Sequence, residues 1–163
     1  MSLTAAPARS PGEGTISRIL FVCMGNICRS PTVEAVARAE FARAGLAIEV
    51  DSAGTEDYHV GEPPDPRAIR VGAARGYDLS PLRARQVSRD DFLRFDRVYA
   101  MDRVNLRALQ RVRPADATAA ALFLGDAELP DPYYGGSAEF ERALDLACAG
   151  IVDLVARLRR GIA

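Results

Sequence analysis

The chain has 163 residues, of which 48% are apolar and 26% are charged, and its formal net charge is -1. This balance indicates one globular domain and excludes a mainly disordered chain or a fibre. No apolar run approaches the roughly 20 residues of a membrane span, and the near-neutral charge gives no reason to expect a nucleic-acid partner. All 21 basic residues are arginine, which excludes Schiff-base chemistry and the lysine of a nucleotide-binding loop.

Residues 1–15 are rich in Pro, Gly, Ala and Ser and lack the apolar stretch of a signal peptide. We expect a disordered extension there, followed by one domain at 16–163. The expected compartment is the cytoplasm, and unconventional export stays open. In a reducing compartment, three cysteines are more typical of catalysis or burial than of disulfides, and one histidine cannot build a multi-histidine metal site.

Strand and helix patterns alternate along the rest of the chain. The apolar run at 18–23 predicts a strand that is buried on both faces. Ser30 and Pro31 predict the start of a helix that ends at Gly45, with Ser30 as its N-cap. The later predicted elements are a strand at 46–51, an irregular loop at 56–66, helices at 67–75 and 90–95, a strand at 96–101, a helix at 102–111, a weak strand at 119–124 and a helix at 137–160.

This alternation predicts an α/β fold, a doubly wound parallel sheet with helices on both faces. Ligands of such folds bind beyond the carboxyl ends of the strands. We therefore expect Cys23, Asp51, Asp102 and the loop at 125–136 to lie along one functional edge.

The segment from Cys23 to Pro31 joins the first strand to the first helix. Successive backbone N–H groups of residues 24–29 can curl into a concave nest, with the positive end of the helix behind it, and such a nest binds a tetrahedral oxyanion. Gly25 lacks a Cβ and Asn26 tolerates left-handed dihedral angles, so the loop can close tightly. Arg29 can donate two parallel hydrogen bonds to phosphate oxygens.

Cys23 is expected below this nest, with its sulfur directed at the centre of the bound anion. Helix N-termini and nearby cations favour the thiolate, and the Ser30 hydroxyl is placed to donate a further hydrogen bond to the sulfur. A thiolate at a phosphate site predicts attack on phosphorus. The alternative interpretation is a buried structural cysteine in a strand-helix turn.

The run from Val22 to Pro31, VCMGNICRSP, resembles the signature of the low-molecular-weight protein tyrosine phosphatases. The resemblance covers about residues 18–160, and further matching segments are 51–55, 60–68, 84–87, 95–109 and 131–135. It implies a three-layer fold with a four-stranded sheet. It also implies a phosphomonoesterase that needs no metal or other cofactor and removes phosphate from protein phosphotyrosine through a cysteinyl-phosphate intermediate.

A phenolate leaves poorly unless it is protonated, so the reaction needs a positioned acid. Sequence position alone nominates four aspartates and does not choose among them; these are Asp51, Asp102, Asp126 and Asp131. The resemblance selects Asp131 as the acid that protonates the leaving oxygen and later deprotonates the attacking water. It implies Cys23 and Arg29 as the other catalytic residues.

Substrate contacts are expected from the phosphate-binding loop and from an aromatic rim. The loop residues are Met24, Gly25, Asn26, Ile27, Cys28 and Ser30, and the rim residues are Tyr58, Tyr133 and Tyr134. The two neighbouring tyrosines have an alternative role in packing a surface loop. The expected ligands are phosphotyrosine-containing proteins and inorganic phosphate or sulfate, and the expected state is a monomer or weak dimer without membrane attachment.

The remaining cysteines and the histidine receive separate predictions. Cys28 could form a reversible disulfide with Cys23, which the resemblance also implies; the alternative is a small residue that fills the loop. Cys148 shares an apolar helix stripe and is predicted to be core. His59 is predicted to be an exposed loop residue and not a base. Leu82 stands where mammalian relatives have a histidine that supports the loop asparagine, so Asn26 is expected to be held in a partly different way.

Three other functions compete with the phosphotyrosine phosphatase. Arsenate reductase needs an additional cysteine pair, and beyond the loop this chain has only Cys148. Phosphoarginine phosphatases of this type carry threonine where this chain has Ile27. A non-catalytic phosphate-binding module would not need Cys23, Arg29 and Asp131 together.

Overall fold

The structure is a computed structural model that describes residues 16–161, so the predicted tail at 1–15 lies outside the described residues. The elements are β1 (Arg18–Cys23), α1 (Arg29–Arg43), β2 (Glu49–Gly54), α2 (Pro66–Ala74), α3 (Asp91–Arg94), β3 (Arg97–Ala100), α4 (Arg103–Val112), β4 (Ala121–Leu122) and α5 (Ser137–Arg159). Within 16–161, no helix combines the length and the apolar character that a membrane crossing requires.

The four strands form one parallel sheet in the order β2-β1-β3-β4. β1 occupies a central position, paired with β2 from Arg18 to Cys23 and with β3 from Ile19 to Val22. β4 pairs with β3 through two residues only, consistent with the alanine-rich sequence there. The expected four-stranded α/β fold is confirmed.

Two hydrophobic clusters cover the two faces of the sheet and give the molecule three layers. Ile19, Phe21 and Cys23 belong to the cluster that includes buried residues of α1, α2 and α5. Leu20 and Val22 belong to the opposite cluster, which includes buried residues of α3 and α4. β1 is therefore apolar at every position from 19 to 23 because both of its faces are buried.

The second strand begins three residues later than the sequence pattern predicts. Leu46 and Ile48 pack against the core before β2 starts at Glu49. Their apolar side chains therefore reflect burial and not pairing with a neighbouring strand. The predicted position of Asp51 at the edge was wrong. Asp51 pairs with Leu20 inside the strand, and its carboxylate binds Arg85 at 3.0 Å.

The start of α1 also differs from the prediction. The helix begins at Arg29 with Cys28 as its N-cap residue, and no side chain caps it. Ser30 lies inside the first turn and is not the N-cap. Its hydroxyl contacts the Cys23 sulfur at 3.0 Å instead. A residue type that is common at helix caps therefore makes a different hydrogen bond here.

Candidate active site

The loop between β1 and α1 turns sharply because of two residues that sequence reasoning singled out. Asn26 has a φ of 59°, in the left-handed region that asparagine tolerates. Gly25 packs directly beneath the His59 ring, because a Cβ built on it would lie 3.0 Å from the His59 Cδ2. Gly54, at the end of β2, packs closely against the same loop. A Cβ built on it would lie 2.6 Å from the Met24 carbonyl oxygen.

Polar groups of the loop surround the sulfur of Cys23. The Ser30 hydroxyl lies 3.0 Å away, and the backbone N–H of Asn26 donates to the sulfur over 3.3 Å. The Ser30 oxygen accepts a hydrogen bond of 2.8 Å from the Asn26 amide, and the Ser30 hydroxyl has two acceptors within reach, the Cys23 sulfur at 3.0 Å and the Ala53 carbonyl at 3.5 Å. Cys23 is 3% exposed, so these donors act in a site with little water.

The buried Asn26 side chain organises the loop from below. Its amide also donates to the Ser52 hydroxyl at 2.9 Å, and its carbonyl oxygen accepts from the Arg85 backbone N–H at 3.0 Å. Ser52 in turn donates to Glu34 over 2.7 Å. Burial raises the pKa of the Glu34 carboxyl. The support of Asn26 therefore comes from two serines and one backbone group.

Arg29, the first residue of α1, lines the cleft and is nearly fully buried. Its Nη1 donates to Asp102 Oδ2 at 2.6 Å and to the Leu129 carbonyl at 3.1 Å. Burial alone would lower the pKa of its guanidinium, but Cys23 and Asp102 outweigh burial and raise this pKa. Asp102 also accepts the Asn105 backbone N–H at the start of α4, so one carboxylate both caps a helix and holds Arg29.

Asp131 is brought to the same place by the loop that precedes α5. Its Oδ2 lies 3.9 Å from Arg29 Nη2, and its Oδ1 accepts the Tyr133 backbone N–H at 3.1 Å. The other nominated aspartates are placed differently. Asp102 forms an ion pair with Arg29, and Asp51 lies within β2. Asp126 is an exposed residue earlier in the connection that carries Asp131.

A cleft of about 370 Å³ opens above the sulfur. Its lining residues are Cys23, Met24, Gly25, Ile27, Cys28, Arg29, Tyr58, His59, Asp131, Tyr133 and Tyr134. All three predicted rim tyrosines are therefore in the wall, whereas Asn26 and Ser30 act from beneath the loop. The arrangement suits a small anion at the base and a flat aromatic group above it.

His59 is not the exposed loop residue that the sequence suggested. It is part of the cleft wall, and its Nδ1 lies 2.7 Å from Glu62 Oε2. The sequence contained a signal for this pair, because the two residues are three positions apart in a proline-rich loop. Arg67 is a further residue of the site that the sequence does not indicate, because its helical pattern gives no sign of its hydrogen bonds to the Tyr133 and Gly135 carbonyls.

The other two cysteines occupy distinct environments. Cys28, the last residue of the phosphate-binding loop before α1, is a buried free thiol that lines the cleft, and burial raises its pKa. Its redox role stays a prediction. Cys148 is partly buried against the core, 3.9 Å from the Tyr77 hydroxyl. Burial, with the Glu40 hydrogen bond, raises the pKa of Tyr77 to about 12.

In residues 16–161, no cluster of His, Cys, Asp and Glu side chains is suited to a metal ion.

A parallel α/β sheet with a buried cysteine at the end of a central strand, a loop N–H directed at its sulfur and a buried arginine in the same cleft defines a cysteine-dependent phosphatase. Comparison with known proteins identifies the particular family. The model of the family described as low molecular weight phosphotyrosine protein phosphatase matches residues 18–162. The chain belongs to this family, and the expected enzyme class is thereby confirmed.

Individual relatives agree with the family match. A low molecular weight protein-tyrosine-phosphatase of Streptomyces coelicolor is 45% identical over 157 residues, which cover 89% of this chain and 95% of that protein. A protein tyrosine phosphatase structure from Entamoeba histolytica, with Hepes in its active site, has a TM-score of 0.85 at 36% identity and covers 90% of this chain and 99% of that one. Vibrio vulnificus Wzb, solved with benzylphosphonate, has a TM-score of 0.80 at 27% identity, with coverages of 87% and 99%.

Proposed function

We propose that this enzyme hydrolyses phosphotyrosine in proteins, with Cys23 as nucleophile, Arg29 as phosphate ligand and Asp131 as general acid and base. The observation that carries the proposal is the position of the Cys23 sulfur. It lies 3.0 Å from a hydroxyl and 3.3 Å from a backbone N–H, at the base of a cleft that Arg29 and Asp131 also line. Family membership supports the same chemistry.

The first step transfers the phosphoryl group to the enzyme. The Cys23 thiolate attacks phosphorus, and the bond from phosphorus to the phenol oxygen breaks. Asp131 gives its proton to that oxygen, so a neutral phenol leaves. The loop N–H groups and Arg29 stabilise the equatorial oxygens of the transferring group.

The second step releases inorganic phosphate. Asp131, now a carboxylate, takes a proton from a water molecule as the water attacks phosphorus. The sulfur-phosphorus bond breaks and its electrons return to Cys23 as a thiolate. The Ser30 hydroxyl, 3.0 Å from the sulfur, donates a hydrogen bond to this leaving thiolate, since a thiolate can only accept.

The shape of the cleft supports an aromatic phosphate ester. Tyr58, Tyr133 and Tyr134 lie at the rim and are 66%, 39% and 94% exposed, so they can receive a substrate ring. Vibrio vulnificus Wzb was solved with benzylphosphonate, a phosphonate that carries an aromatic ring one carbon away from phosphorus. The proposed partners are phosphotyrosine-containing proteins and free phosphate. We also propose a monomer or weak dimer in the cytoplasm, where three free thiols persist.

Turnover of para-nitrophenyl phosphate by the Cys23→Ser variant tests the proposal. We expect the variant to lose all measurable hydrolysis, while Cys148→Ser, which removes the thiol beside Tyr77, keeps the rate of the unsubstituted enzyme. A phosphotyrosyl peptide should be hydrolysed much faster than a phosphoseryl or phosphoarginyl peptide of the same sequence. Hydrolysis that survives Cys23→Ser, or a preference for phosphoarginine, would overturn the proposal.

A further inference from the structure

Arg67 lies in the first turn of α2 and reaches across to the acid loop, defined here as residues 129–136. It donates to the carbonyl oxygens of Tyr133 at 3.0 Å and Gly135 at 3.2 Å. The same guanidinium packs over two rings, 5.6 Å from the Tyr133 centroid and 4.5 Å from that of Phe140. Arg67 thus contacts the acid loop at two backbone positions and through the stacked Tyr133 ring.

Asp65 fixes the guanidinium in this orientation. Its carboxylate accepts Arg67 Nε at 3.0 Å and Nη2 at 2.9 Å, the paired geometry that only arginine provides. The hydrogen bonds from Arg67 lower the pKa of Asp65, so the carboxylate stays ionised at neutral pH. The backbone N–H of Asp65 donates to the Ile27 carbonyl at 2.8 Å, which attaches this pair to the phosphate-binding loop.

Asp131 lies at the other end of this series of hydrogen bonds, in the acid loop. Its side chain is 45% exposed, and it contacts Arg29 only at 3.9 Å. The 3.1 Å hydrogen bond from the Tyr133 N–H is therefore its shortest polar contact within the described residues. Tyr133 holds Asp131 through its N–H and is itself held by Arg67 through its C=O.

We infer that Arg67 is a positioning residue that sets where Asp131 stands relative to the phosphate-binding loop. The inference rests on the proposed role of Asp131 as general acid. Hydrogen bonds run from Ile27 through Asp65 and Arg67 to Tyr133. Asp131 and the phosphate-binding loop are therefore held in a fixed position relative to each other. A displacement of about 1 Å in a reacting group can cost about 100-fold in rate, so this connection bears directly on catalysis.

The test is a series of aryl monophosphates whose leaving phenols span a wide range of acidity. We expect Arg67→Gln to lower kcat/KM by about 10- to 100-fold for phenyl phosphate and by less than about threefold for the most acidic phenol, because that phenol leaves without protonation. Arg67→Lys keeps the charge but not the paired geometry, and we expect the same dependence with a smaller loss. It also serves if the glutamine variant fails to fold.

Arg75→Gln is the matched control. The Arg75 side chain is 37% exposed, compared with 34% for Arg67. Arg75 also links the end of α2 to α5, through Asp145 and the Glu141 carbonyl. It does not contact the acid loop. We expect its kcat/KM to match that of the unsubstituted enzyme for every ester.

The double variant Arg67→Gln/Asp131→Asn separates the inference from the proposed function. If Arg67 acts through Asp131, the double variant loses little more than Asp131→Asn alone. Equal loss across all leaving groups, or additive losses in the double variant, would overturn the inference. An Asp131→Asn variant without any leaving-group dependence would instead refute the proposed acid. A steep dependence for Asp131→Asn with none for either Arg67 variant refutes only the role of Arg67.

Discussion

The Ser30 hydroxyl lies 3.0 Å from the Cys23 sulfur and is oriented by a hydrogen bond from Asn26. A serine before a proline at a helix start is usually interpreted as an N-cap, but this serine contacts the sulfur of the proposed nucleophile. A hydrogen bond to a charged group contributes about 1.5–3 kcal/mol, so this contact is large enough to affect the rate.

Replacement of Ser30 by alanine should therefore lower kcat. We expect a loss of about 10- to 100-fold with para-nitrophenyl phosphate, because the thiolate loses a charge-assisted donor as it leaves phosphorus. Alkylation by iodoacetamide at pH 6 should also become slower. Ser80→Ala, on the surface beside Asp78, is the control. Unchanged kcat and alkylation would show that the hydroxyl does not act on the sulfur.

The Arg29–Asp102 pair predicts an effect on phosphate affinity. Asp102→Asn keeps an oxygen that can cap α4 but loses the charge that holds Arg29 at 2.6 Å. We expect the inhibition constant of inorganic phosphate to rise about 10-fold, with little change in thermal unfolding. Asp126→Asn removes an exposed aspartate from the connection between β4 and α5 and should leave both quantities unchanged. An unchanged inhibition constant for Asp102→Asn contradicts the prediction.

Gly54 predicts a backbone constraint on the active site. A Cβ at this position would lie 2.6 Å from the Met24 carbonyl and 3.1 Å from that of Glu56, and neither backbone group can move freely. Gly54→Ala should lower the free energy of unfolding by about 1–3 kcal/mol and reduce phosphatase activity at the same time. Gly136→Ala is the steric control, since its Cβ would meet nothing closer than 3.7 Å; it should lose less stability than Gly54→Ala, because only the weaker N-cap of α5 counts against it. Urea denaturation measures both variants, and equal stabilities would refute the constraint.

Glu34 predicts a dependence of stability on pH. Burial raises the pKa of its carboxyl above the ordinary value of 4.5, so the folded chain holds this proton more tightly than the unfolded chain. The contribution of Glu34 is therefore complete below pH 4.5 and declines as the pH rises through the folded pKa.

The corresponding experiment compares the parent protein with Glu34→Gln by urea denaturation at several pH values. The stability of the parent relative to the variant should fall as the pH rises from about 4 to 7. Glu141→Gln, at an exposed position of α5, controls for the loss of a carboxylate elsewhere. A constant difference between parent and Glu34→Gln would contradict the assigned direction.

Local sequence patterns predicted most of the fold because its apolar periodicities are strong. The run from Arg18 to Cys23 matched β1 residue for residue, and α5 ended within one residue of its predicted limit. The pattern misplaced β2 because Asp51 and Ser52 interrupt it with polar side chains. Ser52 is polar because it holds Asn26 and Glu34, so a functional contact obscured the strand signal.

The site was predicted unevenly for a related reason. The contiguous phosphate-binding loop can be read directly, because Cys23 and Arg29 are close in sequence. His59 lines the cleft and Arg67 reaches the acid loop only because separate segments of the chain meet there. Arg67 joins a carbonyl 66 positions away, and no spacing rule connects two such residues. The chemistry of the loop was therefore visible in the sequence, whereas its connection to the acid loop needed the structure.

The central position of β1 has a consequence for local opening of the native chain. Its residues are bonded on both sides by β2 and β3, whereas β4 is held by two pairs only. Amide hydrogens of residues 19–22 should therefore exchange with solvent only on global unfolding, and those near β4 much earlier. The strand that carries the nucleophilic sulfur is thus expected to outlast the β4 edge of the sheet in partial opening of the native state.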